Sequence, residues 1–237
     1  MIKEVIFDID NTVYDYDRGH VEGMRRMGDY VLEHFQVPRE EFERQYQEIM
    51  REITERLGMD NAAIHSRNLR IQNLLERWKQ PLFPHLKNLY RMYWGTLLES
   101  SQAEPGAAAC MEALKRMGIS VGIGTDMTAM IQYEKLEVYG LSSYVSHMVT
   151  SQEAGVEKPH RDFMELCVRK SGFCPEECLF VGDSFAKDVC GSAAAGMHAV
   201  WYNPKGKARP EGIAVPEHGY KEIRHFDELI PYIKGLE

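Results

Sequence analysis

The stretch CLFVGDSFAKDVCGSAAAGMHAVWY, residues 178–202, decides the fold class. It opens with Cys178–Gly182, an apolar run closed by glycine that reads as a buried strand. A segment of helical character, 185–195, follows and stops at Gly196. A second apolar run, Met197–Tyr202, completes the unit. Strand, helix and strand over this length make a βαβ unit, whose strands lie parallel. The same texture extends toward the N-terminus. Ile119–Thr125 and Tyr144–Thr150 read as strands, and 106–117, 128–139 and 160–171 as helices, bounded by Pro105-Gly106, Gly118, Gly140, Pro159 and Gly172. Residues 2–9, rich in Val, Ile and Phe, read as one more buried strand. From about residue 18 to 100 the pattern is long helical periodicity with many charges and no convincing strand. The simplest arrangement is an α/β protein: a parallel-sheet core over 1–14 and 102–237, and an all-helical cap domain over 15–101 inserted after the first strand. Residues 203–220, with three Pro and three Gly, read as a surface loop, and Phe226–Ile233 as a short closing helix.

The bulk properties exclude several classes. A hydrophobic share of 44% and a charged share of 27% suit a globular protein with a sizeable core. A net charge of -8 gives no general attraction for DNA, RNA or anionic lipid, so neither a nucleic-acid polymer nor a membrane is an expected partner. No apolar run reaches the roughly 18 residues of a membrane span. The N-terminal run carries Glu4 and is followed closely by Asp8 and Asp10, unlike a signal peptide, so the expected location is the cytoplasm. The cysteines at 110, 167, 174, 178 and 190 are odd in number and scattered, as reduced thiols are. Cys174 and Cys178 lack the two further soft ligands a metal site would want.

Ligands of parallel α/β sheets bind beyond the carboxyl ends of the strands, and four polar clusters fall there. The first is Phe7-Asp8-Ile9-Asp10-Asn11-Thr12. Its paired carboxylates leave a buried strand together and would repel unless a cation sits between them; helix capping or an Asx-turn is the plainer use of Asp10 or Asn11. The second is Gly124-Thr125-Asp126, where a hydroxyl beside helix N-terminal amides suits a phosphate oxygen, and simple capping is the alternative. The third is Lys158-Pro159, whose lysine can neutralise phosphate or carboxylate, or can be an ordinary exposed lysine. The fourth is Val181-Gly182-Asp183-Ser184 with Asp188 close behind, hard oxygen donors that suit Mg²⁺ or cap the next helix. Each alone is weak; the four together, in this order, are not.

This set resembles the haloacid dehalogenase superfamily, in the branch with a helical cap inserted after the first motif. Besides residues 7–12 and 124–126, Gly-Val-Glu-Lys-Pro at 155–159 and Val-Gly-Asp-Ser-x-x-x-Asp-x-x-Gly-x-x-x-Ala-Gly at 181–196 carry the resemblance, which covers nearly the whole chain. It implies a Rossmann-like, doubly wound parallel core and a Mg²⁺-dependent phosphomonoesterase. Asp8 would be the nucleophile, forming an aspartyl-phosphate, and Asp10 the acid/base. Asp8, the backbone carbonyl of Asp10, and Asp183 would bind Mg²⁺, with Asp188 in support. Thr125, with Asp126 beside it, and Lys158 would hold the phosphoryl oxygens. Asn11 stands where Gly is common, and Asn tolerates the left-handed conformation Gly would take. Asp126-Met127 replaces the frequent Asn-Gly and brings a negative charge to the phosphate site.

The resemblance leaves the substrate open, leaning toward a small phosphorylated metabolite or a nucleotide. It also admits a sugar-phosphate mutase, or a non-catalytic phosphate-binding protein on this fold. A dehalogenase proper characteristically lacks the second aspartate, here Asp10. Tyr14 falls near the expected core–cap hinge. Residues 61–98 hold six Lys/Arg against one Glu. On a helical wheel Ile64, Ile71, Leu74, Leu75 and Trp78 form an apolar stripe flanked by Arg67, Arg70 and Arg77. Arg67 and Arg70 are candidates for contact with an anionic leaving group; a solvated helix face is the plainer reading.

Overall fold

The computed structural model describes residues 1–236. Strand β1, Glu4–Phe7, is buried at every position, as a continuous apolar run requires when helices cover both faces of a sheet. After it the chain enters a helical unit, Asp15–Gln102; the sheet unit comprises Met1–Tyr14 and Ala103–Glu237.

The helical unit contains α1 (Tyr16–Phe35), α2 (Arg39–Leu57), α3 (Arg67–Arg77) and α4 (His85–Ser100). Side chains of Asp15 and Ser66 cap α1 and α3 by accepting from the amides of Arg18 and Leu69. The inner stripe of α1 includes Gly19, Gly23, Met24, Met27 and Val31. A Cβ at Gly23 would lie 2.9 Å from the Tyr93 ring, so glycine there lets α4 approach closely. Helix α2 buries Phe42, Tyr46, Ile49 and Ile53, one face of a 3.6-residue period.

In the sheet unit, α5 (Ala107–Arg116) leads into β2 (Ser120–Thr125), α6 (Ala129–Val138) and β3 (His147–Thr150). Then come α7 (Ser151–Ala154), α8 (Arg161–Ser171), β4 (Cys178–Gly182), α9 (Gly191–Ala194), β5 (His198–Tyr202), β6 (Lys221–Ile223) and α10 (Leu229–Lys234). The described sheet is all parallel in the order β3-β2-β1-β4-β5-β6. Val5 stands opposite both Val121 and Leu179. The winding reverses at β1, and a doubly wound sheet opens its cleft at such a point, beyond the carboxyl ends.

The expected α/β class is observed, with local differences. The strand expected from Tyr144 begins at His147, because Ser142–Tyr144 take a 3₁₀ turn. The helix expected over 185–195 is a π turn, Phe185–Cys190, followed by α9. Strand β6 was not expected; Lys-Glu-Ile is too short and polar to read as a strand. All cysteines are free thiols.

Glu4 is an acid inside this sheet, fully buried, with His147 Nε2 3.7 Å away. Burial pushes its carboxyl from an ordinary 4.5 up to about 7, against a smaller pull from Ser120. Burial and Lys170 pull His147 down, so it offers little compensating charge at neutral pH. Between pH 4.5 and 7 the folded protein keeps a proton that the unfolded chain has released. Glu4 therefore costs stability progressively as pH rises through that window. In urea titrations Glu4→Gln should be roughly 1–3 kcal/mol more stable than the wild type at pH 8 and no more stable at pH 4. An equal difference at both pH values would contradict this account.

Candidate active site

The carboxyl ends of β1, β2 and β4 bring the four polar clusters together. Asp8 leaves β1 with its amide donating to the Val181 carbonyl (2.9 Å), in register with β4. The Thr12 hydroxyl donates to Asp8 Oδ2 (3.3 Å) and accepts from the Asp183 amide (3.1 Å), tying the first loop to the fourth. The Trp201 indole fixes that loop from below by donating to the Asp183 carbonyl (2.9 Å). Asp188 sits on the π turn, a wide turn often found at functional sites. Its carboxylate folds back over Gly182, where a Cβ would lie 2.3 Å from Asp188 Cγ, so only glycine fits. The Ser184 amide donates to Asp188 Oδ2 (2.9 Å).

Lys158 binds the cluster together. Its Nζ donates to Asp8 Oδ1 (2.6 Å) and Asp188 Oδ1 (2.7 Å), with all three side chains almost fully buried. Burial opposes its charge, but Asp188, Asp8 and Asp126 outweigh that and raise its pKa. Asp8 feels the reverse. Burial, reinforced by Asp188, Asp183 and Asp10, pushes its carboxyl up to about 8 although Lys158 pulls the other way.

Carboxylate oxygens of Asp8, Asp183 and Asp188 all lie within 4.8 Å of one another. Three carboxylates around one ammonium leave negative charge in excess, and hard oxygen donors are what a divalent cation takes. These residues could hold a metal ion. The Asp10 side chain stands outside that group of three.

Asp10 instead faces α6. Lys135 Nζ donates to its Oδ1 (2.6 Å), Gln132 Nε2 to its Oδ2 (3.3 Å), and the Tyr14 hydroxyl donates to Oδ1 as well. Burial alone would raise its pKa; Lys135, Tyr14 and Gln132 outweigh that and hold the carboxyl below its ordinary range. The Gln132 amide also donates to Thr125 Oγ1 (2.7 Å) and the Asp126 carbonyl (2.9 Å), so one side chain joins the first and second clusters. Tyr14, expected near the hinge, is fully buried and stacked on Tyr139 at 4.7 Å.

Asp126 carries a negative charge, but the structure supplies its partners. Oδ1 accepts from the Lys158 amide (3.0 Å) and Oδ2 from Lys187 Nζ (2.8 Å). The same ammonium reaches Glu157 Oε2 at 3.3 Å. Asn11 takes the left-handed conformation with φ 60°, and Met127 does so with φ 102°. Thus Asp8, Asp10, Thr125, Asp126, Lys158, Asp183 and Asp188 converge in the sheet unit. Arg67 and Arg70 belong to the helical unit and are buried, at 4% and 5% exposure, rather than lying on a solvated face. Arg77 does lie there, paired with Glu48 and Glu52.

Sequence reasoning missed Lys135, Gln132 and Lys187. The first two left one readable signal. They share the buried face of α6 with Ile131 and Leu136, and polar residues on an apolar face imply a partner.

Comparisons with known proteins identify the family. Residues 2–196 match the family model of the haloacid dehalogenase-like hydrolases. The ribulose-1,5-bisphosphate 5-phosphatase of Halopiger xanaduensis is 32% identical over 86% of this chain and 86% of its own. The pyrimidine 5'-nucleotidase YjjG of Escherichia coli is 28% identical over 95% of this chain and 96% of its own. A crystal structure of a HAD phosphatase from Thermococcus onnurineus shares the fold with a TM-score of 0.77 at 24% identity, covering 99% of each chain. The chain belongs to the haloacid dehalogenase-like hydrolase family.

The Lys135–Asp10 pair gives a test of the site's construction. Lys135→Met should destabilise the protein by about 2–4 kcal/mol in urea denaturation, because a largely buried carboxylate loses its cation. Adding Asp10→Asn should recover part of that loss, giving a non-additive double-mutant cycle. Additive losses would show that the two groups are not coupled.

Proposed function

We propose that this haloacid dehalogenase-like hydrolase is a Mg²⁺-dependent phosphatase that cleaves the phosphomonoester of a small metabolite through an aspartyl-phosphate on Asp8. The observation that carries the reading is Lys158 Nζ held between Asp8 and Asp188, beside Asp183 and with Asp10 two residues along the chain. Both curated relatives named above act on small phosphate esters according to their names, a sugar bisphosphate and a nucleotide.

Phosphoryl transfer needs positioning and charge neutralisation above all. An Asp8 carboxylate oxygen attacks phosphorus, a new O–P bond forms, and the bond to the ester oxygen breaks. The departing oxygen takes a proton from the Asp10 carboxyl. Water then attacks phosphorus and gives its proton back to Asp10, and the Asp8 O–P bond breaks to release phosphate. Lys158 offsets charge on Asp8 and on the phosphoryl oxygens, and the Thr125 hydroxyl lies at the start of the second loop to hold one of them. Lys135, Tyr14 and Gln132 fix the orientation of Asp10 and favour its ionised form, which accepts the proton of the attacking water; the negative charge of the bound phosphoryl group raises its proton affinity for the first step, where it gives that proton to the leaving oxygen. The carboxylates of Asp8 and Asp183 and the backbone carbonyl of Asp10, supported by Asp188, would hold Mg²⁺, which adds positive charge beside the transferring group. Asp126 orients the loop carrying Lys158 through the amide of that lysine.

Phosphate release from nucleoside monophosphates, sugar phosphates, phosphoglycolate and an aryl phosphate tests the proposal. Release should require Mg²⁺ and vanish with chelator, and Asp8→Asn should lower kcat by at least about 10³-fold. Folded, metal-loaded protein that releases no phosphate from any ester would overturn it.

A further inference from the structure

The helical unit contains two buried cations without paired anions among the described residues. Arg67 and Arg70 lie one turn apart on α3 and are both buried. Arg67 donates to the His65 carbonyl (3.0 Å) and to the hydroxyls of Tyr16 (2.6 Å) and Tyr93 (2.9 Å). Its guanidinium also lies over the Tyr93 and Trp94 rings. Arg70 donates to the Ile64 carbonyl (2.6 Å) and lies over the Tyr46 ring. Every one of these partners is neutral. The Nε atoms of both arginines are buried with no hydrogen-bond partner among the described residues.

Four more exposed arginines of the same unit are treated differently. Arg25, Arg39, Arg44 and Arg77 are each paired with carboxylates at 3.4 Å or less. Exposed pairs contribute little, whereas a buried cation needs its counter-charge most. Carboxylates therefore stand where they matter least and are missing where burial demands them. His20, hydrogen-bonded through Nδ1 to the Tyr93 hydroxyl (2.7 Å), adds no negative charge. Burial, then Arg67 and Arg70, push it down to about 4, against a smaller upward pull from Asp17. Tyr16 and His20 are half-buried, so the cluster reaches the surface at that edge. The amino end of α3, beginning at Arg67, contributes further positive potential.

We infer that Arg67 and Arg70, with the hydroxyls of Tyr16 and Tyr93, form an oxyanion-binding site for a carboxylate or phosphate group. Guanidinium forks suit the paired oxygens of such groups, and phenol hydroxyls can turn to donate. The ligand is a free small anion of carboxylate or phosphate chemistry. The site does not rest on the phosphatase reading.

Isothermal titration of the full chain with malonate tests the site without turnover. Wild-type protein should bind malonate, and Arg70→Gln should weaken binding by about tenfold or more. Arg70→Lys, which keeps the charge but loses the fork, should weaken binding less, and it secures the test if the glutamine variant fails to fold. Malonate binding that is absent, or insensitive to both substitutions, would overturn the proposal and leave the arginines as structural cations. Arg70-dependent malonate binding by a protein that hydrolyses no ester would uphold the site while the phosphatase reading fell.

Discussion

The arrangement at the carboxyl end of the sheet depends on one constraint: several carboxylates must share a nearly dry space. Asp8 and Asp188 are 6% and 1% exposed, and Asp183 stands beside them. Like charges this close in low dielectric raise one another's proton affinity unless cations intervene. Lys158 is the intervening cation the chain supplies, and the surrounding loops serve its placement. Asp126 anchors its amide, Lys187 balances Asp126, and Gly182 gives Asp188 room to reach it. The excess negative charge that remains explains why such a site would take a divalent cation, and why so much polar chemistry can stand on strands that are otherwise wholly apolar.

A second ammonium divides the acidic groups by role. Lys135 has no exposure and turns to Asp10, while Lys158 turns to Asp8 and Asp188. Two aspartates separated by a single residue therefore face different environments. Asp8 is pushed up by burial and its acidic neighbours, and Asp10 is held low by Lys135, Tyr14 and Gln132. Without a cation these shifts run against a nucleophile at Asp8 and an acid at Asp10; a divalent cation beside Asp8 would favour its ionised form, and an arriving phosphoryl dianion would raise the proton affinity of Asp10. Gln132 keeps the division from becoming a separation, since its amide spans Asp10, Thr125 and the Asp126 carbonyl.

The parts of this arrangement legible in the sequence are those whose signal is local. Asp8, Asp10, Asp183 and Asp188 announce themselves because polar residues break apolar runs at strand ends, where a parallel sheet places its ligands. Asn11 could be read because few residues adopt a positive φ readily. Lys135 could be read only as a polar residue on the apolar face of α6, since its partner lies 125 positions away and nothing nearby names it. The π turn leaves no compositional trace either: residues 185–190 have the helical texture of any short α-segment, and the wider turn follows from Asp188 folding over Gly182. Strand β6 gains its identity only by pairing with β5.

Arg67 and Arg70 show where periodicity alone misleads. The helical wheel identifies the apolar stripe of α3 correctly through Ile71, Leu74 and Leu75, yet the stripe's flank is buried too, because α1 and α2 bring Tyr16 and Tyr46 against it. A guanidinium can enter such a place since its faces stack on aromatic rings while its edges keep donating. Tyr93 uses both properties with Arg67: its ring lies 4.9 Å from the guanidinium carbon, and its hydroxyl accepts at 2.9 Å. Aromatic faces and phenols soften a buried positive charge without cancelling it. In the sheet unit the buried ammonium groups meet carboxylates and their charge is spent inside the fold, whereas in the helical unit neither buried guanidinium is paired with a carboxylate among the described residues. That contrast gives the oxyanion site its physical basis: the attraction left over after folding is available to a ligand.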